Sequence, residues 1–197
     1  MLGTILLICC GVVGLAVIGL LIFGITLYNS IQRLVVLVDE AWSGIDVQLK
    51  KRYDLIPNLV ETVKGYAKHE SGIFEKVAQL RSGMMNTQSP EELGKMEGEL
   101  RSTLKTLFAV AENYPELKAN ENFMKLQDSL QAIETELEGA RRYYNGVVRD
   151  LNTKIVVFPN NIIAGVLNLK KREFFEVESA EERQAVKVDF SEDQPAK

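Results

Sequence analysis

Few side chains in this sequence could do chemistry, and their spacing narrows the options further. The chain has one histidine, His69. A lone histidine on a bundle helix can accept a phosphoryl group. Glu70 follows it directly, however, and Lys68 is the only adjacent cation. An anionic neighbour opposes the approach of a phosphoryl group. We expect His69 to be solvated or to close one end of a bundle. A di-iron bundle site needs paired Glu-x-x-His motifs, which one histidine cannot supply. Zinc sites need more Cys and His than the sequence holds outside its apolar start. The two cysteines, Cys9 and Cys10, are adjacent, so there is no disulfide framework. A lipoprotein signal needs a small residue before the acylated cysteine, and Ile8 stands before Cys9. The carboxylate runs at Glu91-Glu92, at Glu134, Glu136 and Glu138, and at Glu178, Glu181 and Glu182 read as solvated faces. The sequence carries no Gly-rich phosphate loop, no Gly-x-Ser-x-Gly elbow and no Ser-His-Asp set. It therefore predicts no catalytic residue, no cofactor and no metal ligand, and so not an enzyme.

Two basic clusters remain. Lys50-Lys51-Arg52 lies about 33 Å past Tyr28 along a straight helix, too far to snorkel to a membrane that ends near Tyr28. Its expected roles are solvation and contact with acidic faces. Lys170-Lys171-Arg172 precedes Phe174-Phe175. Basic residues beside aromatics can dock on anionic lipid; the plainer reading has the two phenylalanines closing the bundle end. Trp42 falls on an apolar stripe and reads as core. Asp46, Gln48, Asp54, Asn58 and Glu61 lie off that stripe and could face another protomer. With 23 Lys+Arg against 27 Asp+Glu, the net charge is -4, which argues against nucleic acid as a partner.

The elements that carry these residues are legible from patterning. No charged side chain or histidine precedes Arg33. Residues 5–27, ILLICCGVVGLAVIGLLIFGITL, would form a helix of about 34 Å, enough to cross a hydrocarbon core of roughly 30 Å with some tilt. A cleaved signal peptide needs a basic start, a shorter apolar run and a small-residue cleavage site, and none is present. Residues 1–28 thus read as an uncleaved single-span anchor. Gly11, Gly14, Gly19 and Gly24 lie in it without GxxxG spacing, a weak signal for helix association. Arg33 and the cluster at 50–52 favour a cytoplasmic C-terminal part under the basic-residue rule.

Beyond the anchor, apolar residues recur with helical period. The first stripe is Ile31, Val35, Val38, Trp42, Ile45, Leu49, Tyr53, Ile56, Val60, Val63 and Ala67. It keeps phase across Pro57, so one kinked helix over about 31–81 is expected, broken by Ser82-Gly83. Ser89, Pro90 and Glu92 form a capping-box start for a second helix carrying Leu93, Met96, Leu100, Leu104, Leu107 and Ala111. A third begins near Asn120 and carries Phe123, Leu126, Leu130, Ile133, Leu137, Ala140, Tyr144, Val147, Leu151 and Ile155. Phe158-Pro159 ends it, and Asn160 or Asn161 caps a short helix over 161–168. Such long stripes need partners, which the chain supplies by folding its helices back on one another. This gives an all-α protein: an N-terminal transmembrane helix, then an antiparallel up-and-down helical bundle of four-helix type over residues 29–170. In the tail, 171–197, LKKREFFEVE could extend a helix, VKVDF alternates like a short strand, and SEDQPAK reads as disordered.

The segments AWSGIDVQLKKRYDLIPNLVETVKGYAKHE (41–70) and YPELKANENFMKLQDSLQAIETELEGARRYYNGVVRDLNTKIVVFPNNIIAG (114–165), with Phe174-Phe175, resemble the LemA family of bacterial membrane-anchored helical proteins. The resemblance spans nearly all of residues 28–175. It implies an anchor followed by an antiparallel bundle, without an established catalytic activity. Some relatives are associated with magnetosome membranes, which hints at membrane organisation. Leu151 and Leu167-Asn168-Leu169 depart from the family's usual residues. The function expected is a non-enzymatic scaffold or organiser in the bacterial plasma membrane, in contact with the lipid bilayer and acting by self-association as a homo-oligomer. The alternative is a transmembrane signalling or adaptor module for a cytoplasmic protein partner.

Overall fold

A computed structural model describes residues 2–67, 69–87 and 89–176. The described residues form six helices: α1 (Leu2–Lys64), α2 (Ser71–Asn86), α3 (Pro90–Ala111), α4 (Pro115–Lys118), α5 (Glu121–Val156) and α6 (Asn160–Val166). The chain is all-α, as its periodicities predict. The expected strand over 186–190 and the disordered end over 191–197 lie outside the described residues.

The span and the first bundle helix are one element. α1 runs unbroken for 63 residues. Its apolar first part is wholly unburied, with Leu15 72% and Leu20 70% exposed, and is long and apolar enough to cross a membrane. Gly11, Gly14, Gly19 and Gly24 face open space there. Burial begins abruptly at Ile31, which is 0% exposed. The stripe then recurs as read, through Val38, Ile45, Leu49, Ile56, Val63 and Ala67, all buried.

Helix α1 passes through Pro57. Proline lacks the N–H that would bond the carbonyl four residues back, so the Tyr53 carbonyl loses its intrahelical donor. Arg81 replaces it from α2: its Nε donates to Tyr53 O at 2.9 Å. The expected single helix over 31–81 does not form. α1 stops at Lys64, the chain turns at Gly65-Tyr66, and α2 folds back from Ser71, ending at Asn86 rather than at Arg81. The stripe conceals this reversal because Ala67 lies inside the turn, fully buried, and keeps the apolar phase across it. A rod running on to 81 would outreach its partner α5, leaving an apolar face uncovered.

The four long helices alternate in direction. Lys76 on α2 meets Glu99 on α3 at 2.9 Å. Trp42 on α1 stacks on Tyr144 of α5, ring centroids 5.4 Å apart. α1 packs along its length on α5, α2 pairs with α3, and α6 packs against α1 and α5. Ser89 caps α3 by accepting from Glu92 N, and Pro90 takes the first turn, as expected. The Glu92 carboxylate does not complete the box; it accepts from the Thr87 hydroxyl at 2.8 Å instead. Asn120 caps α5 through Asn122 N and Phe123 N. α6 begins at Asn160 after Pro159, with no side-chain cap.

Residues 169–176 do not extend a helix. Asn168 ends α6 with a positive φ of 52°. Asn168 N donates to Gly165 O and Leu169 N to Ala164 O, a Schellman closure with asparagine in the position glycine usually holds. The chain then runs extended as a strap along the bundle. Two asparagines on α5 hold it. Asn152 accepts from Arg172 N and donates to Arg172 O. Asn145 does the same for Phe175. Seven residues of helix and three of extended chain both span about 10 Å, so the two clamps match in pitch. Phe175 is fully buried against Trp42, and the Glu176 carbonyl lies where a side chain at Gly94 would begin.

Candidate functional site

Each of the three long stripes carries charge beside its apolar residues near mid-bundle. Arg52 stands between Leu49 and Ile56, Glu97 between Leu93 and Leu100, and Glu134 between Leu130 and Leu137. The bundle brings the three to one level. Arg52 is 4% exposed and Glu97 2%, and the two form an ion pair. Arg52 also reaches Glu134 at 2.9 Å. Arg101, one turn beyond Glu97, pairs with Glu134 and with Glu138 at 3.3 Å. This is a charged layer across the apolar core.

The electrostatics follow from burial and pairing. Burial lowers the Arg52 guanidinium from its ordinary value against the opposing pull of Glu134. Burial alone would raise the Glu134 carboxyl; Arg52 and Arg101 together outweigh it and hold the group low. Burial also pushes the neighbouring Tyr53 phenol well up. Removing charges from water is expensive, and among the described residues Arg52 Nε and Glu97 Oε2 are enclosed without a hydrogen-bond partner, so the layer is held by charge pairing.

Above the layer, α3 and α5 stand apart and leave an open cleft of about 600 Å³. Leu104, Phe108 and Leu130 form its apolar wall, and Arg52, Arg101 and Glu138 its charged end. Among the described residues no group of three His, Cys, Asp or Glu side chains comes together to hold a metal ion. The cleft is an apolar trough whose charged end is formed by Arg52 and Arg101 already paired with Glu134 and Glu138.

The residues singled out in the sequence scatter. His69 is exposed in the turn between α1 and α2, at a bundle end; Lys68 lies outside the described residues. Cys9 and Cys10 are exposed and unpaired on the apolar span. Lys50 and Lys51 are solvated, but Arg52 is not, which corrects the reading of the cluster as surface. Glu134 corrects the solvated-face reading in the same way, whereas Glu136 is exposed and Glu91 pairs at the surface with Lys95 at 2.8 Å. Glu178, Glu181 and Glu182 lie outside the described residues. Lys170 and Lys171 are exposed, Arg172 pairs with Asp39 at 3.3 Å, and Phe174 is 37% exposed. Phe175 closes the core with Trp42, which is half-buried on the stripe as read. Asp46, Asp54, Asn58 and Glu61 are exposed, while Gln48 is half-buried with its Oε1 enclosed. Sequence reasoning missed Glu97, although a charge at a stripe position, four residues after Leu93 and three before Leu100, is a readable signal.

A family model described as the LemA family matches residues 41–190. Protein LemA of Metamycoplasma hominis is 30% identical over 159 residues, covering 79% of this chain and 70% of the relative. Magnetosome protein MamQ 2 of Paramagnetospirillum magneticum is 23% identical over 164 residues, covering 70% of this chain and 60% of that protein. Magnetosome protein MamQ of Magnetospirillum gryphiswaldense is 22% identical over 190 residues, covering 82% of this chain and 70% of that protein.

Proposed function

The chain belongs to the LemA family, and on that premise we propose that it is a non-enzymatic organiser of its membrane, anchored by one transmembrane helix and working through lateral self-association of its bundle. The observation that carries this reading is the continuity of α1. One 63-residue helix holds both the exposed apolar span and the buried stripe. A rigid bundle is thereby fixed to its anchor without a flexible linker. Tethering in a plane raises the effective concentration of identical faces, so weak contacts can assemble them. The exposed face of α1 above the membrane supplies candidates in Val36, 63% exposed, and Val47, 51% exposed. The relatives named as magnetosome proteins support a role at a membrane. The membrane is the bacterial plasma membrane, with the bundle on the cytoplasmic side; protease protection in intact spheroplasts tests the side.

The test of assembly uses full-length protein with Cys9 and Cys10 replaced by alanine and Val47→Cys added, in lipid vesicles of rising protein density. Oxidative cross-linking that grows with density is the expected result. A protein that stays monomeric at every density refutes self-association. The cleft between α3 and α5 favours a second reading, an adaptor that seats a protein partner there. Partner capture that depends on residues 29–170 and fails in Phe108→Asp would support it.

A further inference from the structure

We propose that α6 and the shoulder before it form a second membrane contact, an apolar foot that rests in the bilayer interface beside the point where α1 emerges. The inference rests on reading the start of α1 as the membrane span. Val156, Val157, Phe158, Ile162 and Val166 are 49–81% exposed, Phe158 at 74% and Val166 at 81%. Elsewhere on the bundle the exposed large apolar residues are scattered; here five lie within eleven residues of sequence.

Register places this patch at the membrane. Arg52 of α1 meets Glu134 of α5, and ten residues along each helix Trp42 meets Tyr144. Continued in the same antiparallel register to the last residue of α5, Val156 comes level with Ser30, and Phe158 lies just past that helix end. Tyr28 is where the apolar span ends and Ile31 is where burial begins. The foot therefore lies at the depth of the headgroups, with α6 packed against α1 and α5.

Charge points to the same occupant. All 27 carboxylates of the chain lie outside residues 1–38 and 151–172. Those two stretches carry five cations: Arg33, Lys154, Lys170, Lys171 and Arg172. Arg172 is paired with Asp39, while Arg33, Lys170 and Lys171 are exposed. An apolar patch rimmed by cations and free of carboxylates suits an anionic lipid surface. A second copy docked through the same patch would set cation against cation.

The foot would fix the tilt and rotation of the bundle, which a single span leaves free. The test places an environment-sensitive fluorophore on single cysteines in full-length protein lacking Cys9 and Cys10. The positions are Leu15, Phe158, Ile162 and, at the far end of the bundle, Met124, 45% exposed. The protein is reconstituted in vesicles of about three parts phosphatidylcholine to one of phosphatidylglycerol, with nitroxide-bearing lipids as quenchers. Deep nitroxides should quench Leu15, and shallow nitroxides should quench Phe158 and Ile162 at least about threefold more than Met124. Phe158 and Ile162 quenched no more than Met124, with Leu15 quenched, would overturn the foot and leave the anchor standing. Leu15 unquenched would overturn the anchor and the foot with it. Cross-linking between Phe158→Cys protomers without shallow quenching would assign the patch to a second copy and overturn the lipid contact.

Discussion

Replacing Arg52 by methionine should be among the most damaging single changes in the bundle. The methionine keeps much of the stem's volume but removes the charge that faces Glu97, 2% exposed, and Glu134. Breaking a buried pair by deleting one partner costs about 3–5 kcal/mol, because the remaining charge stays out of water. Since 1.4 kcal/mol is tenfold, the folding equilibrium should fall by about two to three and a half orders of magnitude. Glu97→Leu should cost less, because Arg52 retains Glu134 at 2.9 Å. The double variant Arg52→Met/Glu97→Leu should recover about 2 kcal/mol or more of the single loss, since it removes both charges while Arg101 still holds Glu134. Trp42 is the one tryptophan and stacks on Tyr144, so its fluorescence reports bundle unfolding while the span stays in lipid. Urea titration of full-length protein in lipid discs gives each midpoint. An Arg52→Met cost under about 1 kcal/mol, or a double variant no better than the sum of the singles, would refute the claim that this layer is desolvated and coupled.

Three further outcomes follow from named contacts. Arg81→Met should cost about 1–2 kcal/mol by leaving Tyr53 O without a donor, and nearly nothing in a Pro57→Ala background, where residue 57 supplies the N–H; urea midpoints of the four chains test the pair. Gly94→Ala should displace Glu176 and free the strap, seen as faster hydrogen exchange over residues 170–176, despite the about 1 kcal/mol that alanine adds to a helix; unchanged exchange there would count against the strap's seat. Glu134 is held low in the folded state, so its contribution is complete above about 4.5, its ordinary value, and is lost as pH falls through the lowered one. Acid titration followed by Trp42 should show this loss, and a smaller one in Arg52→Met, where one of the two guanidiniums is gone.

The helices were legible because their stripes are long and their caps conventional: Ser89-Pro90 and Asn120 mark true starts, and Phe158-Pro159 a true end. Three things escaped, each for a physical reason. The turn after Lys64 was hidden because periodicity records which residues are buried, not which helix they belong to, and Ala67 is buried in either case. The charged layer was hidden because Arg52 sits beside Lys50 and Lys51 and beside Tyr53, so composition read a basic cluster and the stripe read the tyrosine. The strap was hidden because Asn145 and Asn152 bind its backbone, and backbone recognition leaves no mark in the side chains of the segment bound.

These features constrain one another through register. Heptad stripes permit α5 to slide along α1 by seven residues, about 10 Å, with apolar residues still meeting apolar ones. The strap is clamped to α5 itself by Asn145 and Asn152 and would move with that helix. The charged layer forbids the slide. A slide one way brings Arg141 to the position of Glu134, opposite Arg52, and a slide the other way brings Gln127, which has no charge to offer. Only the observed register gives Arg52 two carboxylates. That same register sets Val156, the last residue of α5, level with Ser30; a seven-residue slide would lift the apolar shoulder clear of the interface or drive it past the headgroups. A polar layer near the middle of the bundle thus determines the height of the surface at its membrane end, and it does so with no contact between them beyond the rigid length of α1 and α5.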